Sequence, residues 1–523
     1  MRMEKRIWFF IALMWGCMSL IHGRPKFIKG GFEFEVLYDG SVLVSRARTV
    51  YKSQEPMEKE FHIPASVEHE GKTYKVQGVA PDGFSGCAEI RHLVVDEGVS
   101  TFGDNAFGAC INLETVKLPA SAGYGRHMFV GCRNLKSIVV DPDNDFIDSR
   151  DCCNAIIDTE LDKLVVACPA ATVPSSVKSI GEEAFAYCHG MKEIRIPEGV
   201  REIGKWAFDG CVDLEHVILP RSLKSIGEAA FCGCESLKSL YIPENVEQID
   251  AGEYPGLFWG CHSLSSVVVD RKNSFYDSRR NCNAIIETGS LKLIAGCAVS
   301  RLVEGVECIG GYAFAGTQIR EIHIPESMTL FSVNAFDSCD ALSRITVHKD
   351  NPVYSSPDSC NAIIRRDSAV LVLGCAASSI PNGVKRIGKS AFSAKPLLKN
   401  ILFLPDGLEA IEDGAFARCP NLFEVVIPHS VTSIGEFAFT QCPQLAIVQM
   451  SGGVKELQEY VFMNCNKLAV IDFPEGISVI RSYAFDGCGK LNHVVFPSSL
   501  TLIEDGAFSG CPCEEDVKKL NLH

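Results

Sequence analysis

Apolar and polar positions recur with a period of 23 residues, most clearly between residues 180 and 248, where one pattern is written three times. Phe185, Phe208 and Phe231 mark equivalent positions in the three copies. In the middle copy the apolar segment LEHVIL ends at Pro220, which lacks the N–H that would continue strand pairing, so the segment predicts a short strand. Such a period is typical of a solenoid, because so short a unit buries its apolar side chains only by stacking on copies of itself.

The segment that precedes this strand, IGKWAFDGC, predicts a turn of helix. Gly204 permits the backbone to change direction, and the pair Ala207 and Phe208 is compact and apolar. We expect one helical or 3₁₀ turn packed on the strand layer. The predicted fold class is therefore an α/β repeat solenoid with short helical turns.

The aromatic marker of the repeat recurs between residues 79 and 511. Most steps between markers are 22 to 24 residues, but three steps are 56 residues and so carry 33 additional residues each. These insertions lie near residues 141–175, 270–304 and 350–382, and each contains the string CNAII, a turn and a second apolar run that ends in Cys. We interpret each as a β-hairpin inserted into the solenoid. The markers are Phe84, Phe107, Phe129, Phe185, Phe208, Phe231, Phe258, Phe314, Phe336, Phe392, Phe416, Phe439, Phe462, Phe485 and Phe508.

Each insertion also contains two cysteines at a fixed separation of 15 residues. If Ile157 pairs with Leu164 across the turn, a regular antiparallel register places Cys153 directly opposite Cys168, and the same holds in the other two insertions. One prediction is three cross-strand disulfides, each stabilising by about 2–4 kcal/mol in the loop-entropy account. The alternative is buried or unpaired thiols. The pairs are Cys153 and Cys168, Cys282 and Cys297, and Cys360 and Cys375.

Thirteen further cysteines share one position of the repeat. Coils of a solenoid stack about 4.8 Å apart, so we expect these thiols to form a buried column of small apolar groups. Thr317 replaces cysteine in one coil, which a packing role permits and a metal or redox site does not. The thirteen are Cys87, Cys110, Cys132, Cys188, Cys211, Cys234, Cys261, Cys339, Cys419, Cys442, Cys465, Cys488 and Cys511.

The N-terminal segment predicts export. Residues 1–23 begin with basic residues, continue with an apolar run of about ten residues and end in small or polar residues, as in a secretory signal peptide cleaved after Gly23. The alternative is a lipoprotein signal with acylation of Cys17. No apolar run reaches the roughly 18 residues of a membrane-spanning helix.

The remaining ends of the chain predict caps for the solenoid. Residues 24–78 depart from the repeat and include a hairpin signal at Asp39-Gly40, which predicts an N-terminal β cap. Residues 512–523 are short and charged and predict a C-terminal cap. Caps are needed because an open solenoid end exposes apolar surface and an unpaired strand edge.

Composition and motifs argue against several functions. The chain has 523 residues and a net charge of −15, with Lys and Arg scattered, so it lacks the basic footprint of a nucleic-acid-binding protein. The histidines are scattered, and no nucleophile, phosphate-binding loop or metal-ligand spacing stands out. We therefore expect no catalysis, no cofactor and no metal, and a monomeric protein.

Candidate ligand contacts are the outward side chains of the strands. One outward residue lies between two inward ones in each strand. Lys117, Arg195, Tyr241 and His323 are the candidates, whereas the valines are explained by the preference of β-branched residues for strands. The row reads Val94, Lys117, Val139, Arg195, Ile218, Tyr241, Val268, His323, Thr346, Val426, Gln449, Asp472 and Val495.

The repeat IGxxAFxxCxxLxxIxIPxxV resembles the BspA-like branch of the leucine-rich repeat family over roughly residues 79–511. This resemblance implies a right-handed, curved solenoid with a parallel sheet on its concave face, found in surface proteins associated with adhesion. We expect an exported protein, secreted or held at the cell surface, that binds a protein or glycan. The alternative is a structural component of a cell-envelope assembly without an external ligand.

Overall fold

Most repeats fold into a coil that carries a strand of three or four residues and, after a tight turn, a strand of two residues. In the longer strands buried and exposed side chains alternate, as in Thr115–Leu118, where Val116 and Leu118 are buried and Lys117 is exposed. The longer strands are Phe61–Ile63, His92–Val95, Thr115–Leu118, Ser137–Val140, Glu193–Arg195, His216–Ile218, Ser239–Ile242, Ser266–Val269, Glu321–Ile324, Arg344–Val347, Ile401–Phe403, Glu424–Ile427, Ile447–Met450 and Val470–Asp472.

The two-residue strands follow the first turn of the coil and, apart from Leu330–Phe331, bury one apolar residue each, for example Ile434 in Ser433–Ile434. They are Thr101–Phe102, Ser179–Ile180, Glu202–Ile203, Ser225–Ile226, Gln248–Ile249, Cys308–Ile309, Leu330–Phe331, Arg386–Ile387, Ala410–Ile411, Ser433–Ile434, Glu456–Leu457, Val479–Ile480 and Leu502–Ile503.

The computed structural model describes residues 24–47, 60–252, 254–357, 360–395 and 401–520. The predicted signal peptide, together with Cys17, lies outside the described residues. The chain divides into an N-terminal unit, Met1–Met191, and a C-terminal unit, Lys192–His523.

Equivalent strands of successive coils pair in parallel and in register. In the N-terminal unit Val116 lies opposite Leu93, and in the C-terminal unit Val448 lies opposite Val425. Each pair is separated by one repeat, so equivalent residues stack on one another. The predicted solenoid of stacked parallel strands is therefore confirmed within each unit.

Turns, and not helices, connect the strands of a coil, so the predicted helical turn is wrong. In the segment IGKWAFDGC, Trp206 has a φ of +58°, and the equivalent Phe437 also has a φ of +58°. One left-handed residue interrupts the succession of right-handed dihedrals that a helix requires. Among the described residues the structure has one α-helix, Glu514–Lys518, and short 3₁₀ segments at Arg150–Cys152 and Arg279–Asn281.

A six-stranded sheet lies at the start of the N-terminal unit. Phe32–Val36 pairs with Val42–Arg46 in the antiparallel hairpin expected around Asp39-Gly40. Val42–Arg46 then pairs in parallel with Lys72–Val79, which also pairs in parallel with the first two-residue strand, Thr101–Phe102. Its remaining strands are Lys26–Lys29 and Ser66–His69.

Each insertion contains an antiparallel strand pair. In the first, Ala155–Asp158 pairs with Lys163–Ala167, which pairs in parallel with Ser179–Ile180 of the following coil. The second strand of the hairpin thus takes a place in the stack. The strands of the three insertions are Ile147–Asp148, Ala155–Asp158, Lys163–Ala167, Tyr276–Asp277, Ala284–Glu287, Lys292–Gly296, Tyr354–Ser355, Ala362–Arg365 and Val370–Gly374.

Stacked phenylalanines run through the core of each unit. Neighbouring rings such as Phe208 and Phe231 lie nearly parallel, 5.5 Å apart between centroids. In the C-terminal unit an unbroken run of such contacts connects Phe392 to Phe508, with centroid distances of 4.9 to 5.5 Å. The marker of the repeat is therefore the residue that joins one coil to the next.

Candidate binding surface

Four consecutive longer strands of the C-terminal unit each present one exposed residue in a single row, here called the strand row. The register places Arg195 beside Ile218 and Tyr241 beside Val268, and the strands between them are paired in the same register. Ile218, Tyr241 and Val268 are exposed although they are apolar or aromatic. Because paired strands are about 4.8 Å apart, the row spans roughly 15 Å.

The Tyr241 ring, which is 50% exposed, is held in place by its hydroxyl, which donates a hydrogen bond to the Asp270 carboxylate. This bond raises the pKa of Tyr241 and lowers the pKa of Asp270. The phenol is therefore protonated and the carboxylate is charged at neutral pH. An aromatic side chain that is already ordered loses less conformational entropy when a ligand packs on it.

Lys117 lies on the equivalent face of the N-terminal unit. Its ammonium group is 3.1 Å from Glu60 Oε1. The hydrogen bond from Lys117 lowers the pKa of the Glu60 carboxyl. Both side chains are exposed, so water screens the pair and a ligand carboxylate can compete for the ammonium group.

His323 lies on the sheet formed by Glu321–Ile324 and Arg344–Val347. Its Nδ1 is 2.9 Å from the Thr346 hydroxyl, and its ring contacts that of His348 at a centroid distance of 6.3 Å. His323 is exposed. The imidazole is thus oriented on the surface by its neighbours.

The four candidates do not form one cluster. Arg195 and Tyr241 belong to one four-stranded sheet, and His323 belongs to a two-stranded sheet of the same unit. Lys117 belongs to the N-terminal unit. The strand row therefore contains two of the four predicted contacts.

A second exposed apolar group was missed by sequence reasoning. Phe403 is 71% exposed and lies opposite Val426, and Ile401 and Val470 on strands of the same four-stranded sheet are also exposed. The segment ILFLP fits the strand-and-proline pattern of the repeat, with Phe403 at the outward position. Continuing the row through this coil would have identified it.

The hairpin cysteines do not follow the predicted register. Ile157 does lie opposite Leu164, but a β-bulge between Ile156 and Ile157 shifts the ladder, so that Ile156 lies opposite Val166. A bulge adds one residue to one strand, so a register extrapolated from the turn fails beyond it. The expectation that Cys153 lies directly opposite Cys168 is therefore wrong.

All six hairpin cysteines are free thiols in the structure, and all are buried. In the other two insertions the bulge recurs between Ile285 and Ile286 and between Ile363 and Ile364. Formation of disulfides by these pairs in an oxidising compartment stays a prediction. The six are Cys153, Cys168, Cys282, Cys297, Cys360 and Cys375.

The column of thirteen cysteines is confirmed, since every one of them is buried. The structure adds a role that the apolar interpretation missed. In ten of them Sγ lies 3.0 to 3.2 Å from the carbonyl oxygen of the marker phenylalanine one coil earlier, as in Cys465 and Phe439. A thiol is small, apolar and a weak donor, so it both fills the site and satisfies the carbonyl.

Three buried asparagines, which sequence reasoning also missed, begin the insertions. Asn273 Nδ2 donates to the carbonyl oxygens of Pro243 and Val246, each at 2.9 Å, and its Oδ1 accepts the N–H groups of Phe275 and Tyr276, each at 2.8 Å. Asn144 and Asn351 make equivalent bonds. The sequence did contain a signal for these residues, because an asparagine occurs at the same position of each insertion.

A cavity of about 240 Å³ in the N-terminal unit is lined mainly by apolar residues, together with charged side chains, four of which contact one another. Arg126 lies 3.2 Å from Glu182, and His127 contacts Glu183. Ligand sites in proteins are usually about 300–1,000 Å³ and mostly apolar. The cavity is smaller than this range, and its charged groups Arg126, Glu182, His127 and Glu183 are occupied by contacts with one another.

Within residues 24–47, 60–252, 254–357, 360–395 and 401–520, no group of three or more His, Cys, Asp or Glu side chains is arranged to hold a metal ion. In the same part of the chain, no helix has the length and apolar character needed to cross a membrane.

Several solved structures are similar to this chain along most of its length. A leucine rich cell surface protein from Faecalibacterium prausnitzii is 26% identical, with 94% of this chain and 93% of that chain covered and a TM-score of 0.35. A leucine-rich repeat protein from Eubacterium ventriosum is 19% identical, with 93% and 94% covered and a TM-score of 0.35. The pneumococcal vaccine antigen PcpA is 17% identical, with 96% and 97% covered and a TM-score of 0.32.

No curated protein matches the chain. The repeat itself matches a family described as the BspA type leucine rich repeat region, with six copies over residues 71–159, 167–284, 297–360 and 385–514. These segments include most of the chain and most of the parallel strands described above. The chain therefore belongs to the BspA-type leucine-rich repeat family.

Proposed function

We propose that the chain is an exported, non-enzymatic binding protein that recognises a protein or glycan through the exposed face of its longer strands. The observation that carries this proposal is the strand row, in which Arg195, Ile218, Tyr241 and Val268 are in register on adjacent strands. Arginine and tyrosine are enriched in binding hot spots, and contiguous exposed apolar surface is unusual in soluble monomers. Phe403 extends the same surface chemistry to a second sheet of the C-terminal unit.

Family membership supports binding over catalysis, since BspA-like repeats occur in surface proteins associated with adhesion to other proteins and cells. The ligand contacts we propose are Lys117, Arg195, Tyr241 and His323. The protein acts as a monomer without cofactor or nucleic acid.

Export follows from the predicted signal peptide of residues 1–23, cleaved after Gly23, or from acylation of Cys17. The protein is then secreted or held at the cell surface. The mass of the mature, unreduced protein distinguishes the two routes and counts any disulfides. A mass that retains residues 1–23 without an acyl group contradicts export.

The binding proposal is tested with a variant in which Lys117, Arg195, Tyr241 and His323 are replaced by alanine. Binding is measured by pull-down of extracellular-matrix proteins and on a glycan array. Because hot-spot residues typically contribute more than about 1 kcal/mol each, we expect the quadruple variant to lose at least about tenfold in affinity for any ligand that the wild type binds.

A control variant replaces exposed residues of the same four types elsewhere: Lys272→Ala, Arg133→Ala, Tyr38→Ala and His429→Ala. This control should bind as the wild type does. Equal binding by wild type and the test variant contradicts the assignment of these contacts. A wild type without any ligand in either assay favours the structural, envelope-assembly role.

A further inference from the structure

Three aromatic side chains form a stacked ladder on the surface of the C-terminal unit, away from the strand row. Phe437 and Tyr460 lie 4.8 Å apart between ring centroids with an interplanar angle of 5°, and Tyr460 and Tyr483 lie 5.4 Å apart at 1°. Phe437 and Tyr483 are exposed, and Tyr460 is half-buried. We call these three residues the aromatic ladder.

The ladder occupies the turn that follows each two-residue strand. Phe437 N–H donates to the Glu459 carbonyl oxygen at 3.3 Å, and Tyr460 N–H donates to the Ser482 carbonyl oxygen at 3.4 Å. These bonds keep successive turns in register, which is why the rings align. The coils on either side have glycine at the same position, Gly414 and Gly506.

The backbone at the ladder does not demand aromatic residues. Phe437, Tyr460 and Tyr483 all have φ values of +57° to +58°, and equivalent positions in other coils are occupied by residues as different as Asn105 and Ala229. Exposed aromatic rings in three consecutive coils are therefore a property of this surface and not a requirement of the fold.

A row of carboxylates accompanies the rings. Glu436 and Glu459 directly precede Phe437 and Tyr460, and Asp505 directly precedes Gly506 in the coil after the ladder. Ser482 occupies this position in the coil of Tyr483. Among the described residues, no hydrogen bond or ion pair of these three carboxylates is present, and Glu436 and Asp505 are exposed. Nearby basic groups are paired with other acids: Lys389 with Asp413 at 2.8 Å, and Arg481 with Glu504 at 2.6 Å. Lys389 also attracts Glu436, more weakly than it attracts Asp413.

This arrangement selects among ligand classes. Each ring face inside the ladder is covered by its neighbour, so sugar rings and cations cannot stack on those faces. The exposed ring edges offer apolar contact for aliphatic chains, and the carboxylates offer negative charge directly before two of the rings and in the coil after the third. Lysine and arginine match both features, because their aliphatic stems pack on apolar surface while their charged heads reach toward acids.

We propose that the aromatic ladder and its carboxylates, Glu436, Glu459 and Asp505, form a second docking surface that binds a lysine- and arginine-rich segment of a partner protein. The surface is separate from the strand row, so it does not depend on the function proposed above. Charge complementarity would accelerate encounter with the partner, and apolar contact with the rings would slow its dissociation.

The test measures binding of a fluorescently labelled peptide of alternating lysine and alanine to the full chain, with a peptide of alternating glutamate and alanine for comparison. We expect binding of the lysine peptide alone, and weaker binding as the salt concentration rises from about 0.05 M to about 0.5 M. The triple variant Glu436→Gln, Glu459→Gln and Asp505→Asn should bind about tenfold more weakly.

Two further variants make the test specific. The charge control Glu202→Gln, Glu235→Gln and Glu307→Gln removes three acids elsewhere in the same unit and should retain binding within about twofold. The ring variant Phe437→Asn, Tyr460→Asn and Tyr483→Asn keeps the carboxylates, uses the residue found at position 105, and should also weaken binding. Thermal unfolding midpoints verify that each variant is folded.

Three outcomes overturn the proposal. Equal weakening by the triple acid variant and the charge control indicates attraction to the net negative charge of the whole chain. Unchanged binding by the folded ring variant shows that the aromatic ladder does not contribute to the docking surface. Failure of the wild type to bind the lysine peptide leaves the ladder a purely stabilising stack, and the strand row is unaffected by any of these results.

Discussion

Single polar residues determine where the chain departs from the regular coil. Asn273 is buried, yet both polar atoms of its side chain have two backbone partners. It joins the turn that follows Pro243 to the start of the insertion around Tyr276. Unpaired backbone groups are costly when buried, so a side chain that satisfies four of them fixes the path of the inserted segment.

Replacement of this asparagine tests its role. We expect Asn273→Ala to lower the free energy of unfolding by about 2–4 kcal/mol, because it leaves buried backbone groups without partners. Urea unfolding followed by circular dichroism measures the change. The neighbouring exposed Ser274→Ala should change stability by less than about 0.5 kcal/mol. Similar small effects for both variants would contradict the structural role of Asn273.

At the scale of the element, each coil is held to the next by the same contacts. Phe439 lies 5.3 Å from Phe416 and 5.5 Å from Phe462 between ring centroids. Its carbonyl oxygen accepts the Cys465 thiol at 3.1 Å. Since these contacts repeat from coil to coil, a destabilising substitution in one coil weakens mainly its packing against the two neighbouring coils.

Substitution of two phenylalanines that lie two residues apart tests which of them belongs to the buried core. Phe439→Ala should destabilise the C-terminal unit by about 3–5 kcal/mol, because it opens a cavity in the buried stack. Phe437→Ala removes an exposed ring and should cost less than about 1.5 kcal/mol. Thermal midpoints of the two variants give the comparison. A smaller loss for Phe439→Ala than for Phe437→Ala would contradict the assigned core.

For the whole molecule, the notable property is the number of buried thiols. The sequence has 24 cysteines, and 21 of the described ones are buried. Burial raises the pKa of Cys168 to about 11 and that of Cys261 to about 12, from the ordinary thiol value of 9.0. The structure therefore requires neutral thiols, whereas the unfolded chain ionises them more readily.

This difference makes stability depend on pH. Because the folded-state pKa is the higher one, the contribution of each neutral thiol is fully present below about pH 9 and is lost as pH rises toward 11 or 12. We expect a constant thermal midpoint between about pH 7 and 8.5 and a decline above about pH 9.

Cys261→Ala should reduce this alkaline decline, whereas Cys152→Ser, at an exposed thiol, should leave it unchanged. Thermal scans across the pH series, run with reductant present, make the comparison. An identical decline in both variants would assign it to other groups, such as tyrosine and lysine, and contradict the role of the buried thiols.

Much of this organisation could be predicted from periodicity. The positions of Phe208 and Cys211 identify the core, because only equal-length coils bring such residues into a common column. The outward position of Tyr241 followed from strand alternation. The helical turn was wrong because the left-handed φ of Trp206 has no signature in its residue type, and the hairpin register was wrong because the bulge before Ile157 is invisible in an apolar run.

The candidate surface was predicted less completely. Strand alternation identifies residues that point outward, but it cannot say which of them share a sheet, so Arg195 and Tyr241 were grouped with His323. The aromatic ladder was overlooked because Phe437, Tyr460 and Tyr483 belong to a segment interpreted as a packed helical turn. Its exposure depends on the turn geometry of three consecutive coils.

The repeat, the core columns and the alternation of inward and outward side chains could be predicted from spacing along the chain alone. The turn conformation, the hairpin register, the hydrogen bonds of Cys465 and Asn273, and the neighbours of each exposed residue became known only from the folded structure. The hydrogen bonds of Cys465 and Asn273 to earlier coils join residues 26 and 27 positions apart, and such contacts form only when one coil lies on another. The hairpin register and the turn conformation depend on a local bulge and a left-handed residue, which the residue types do not specify.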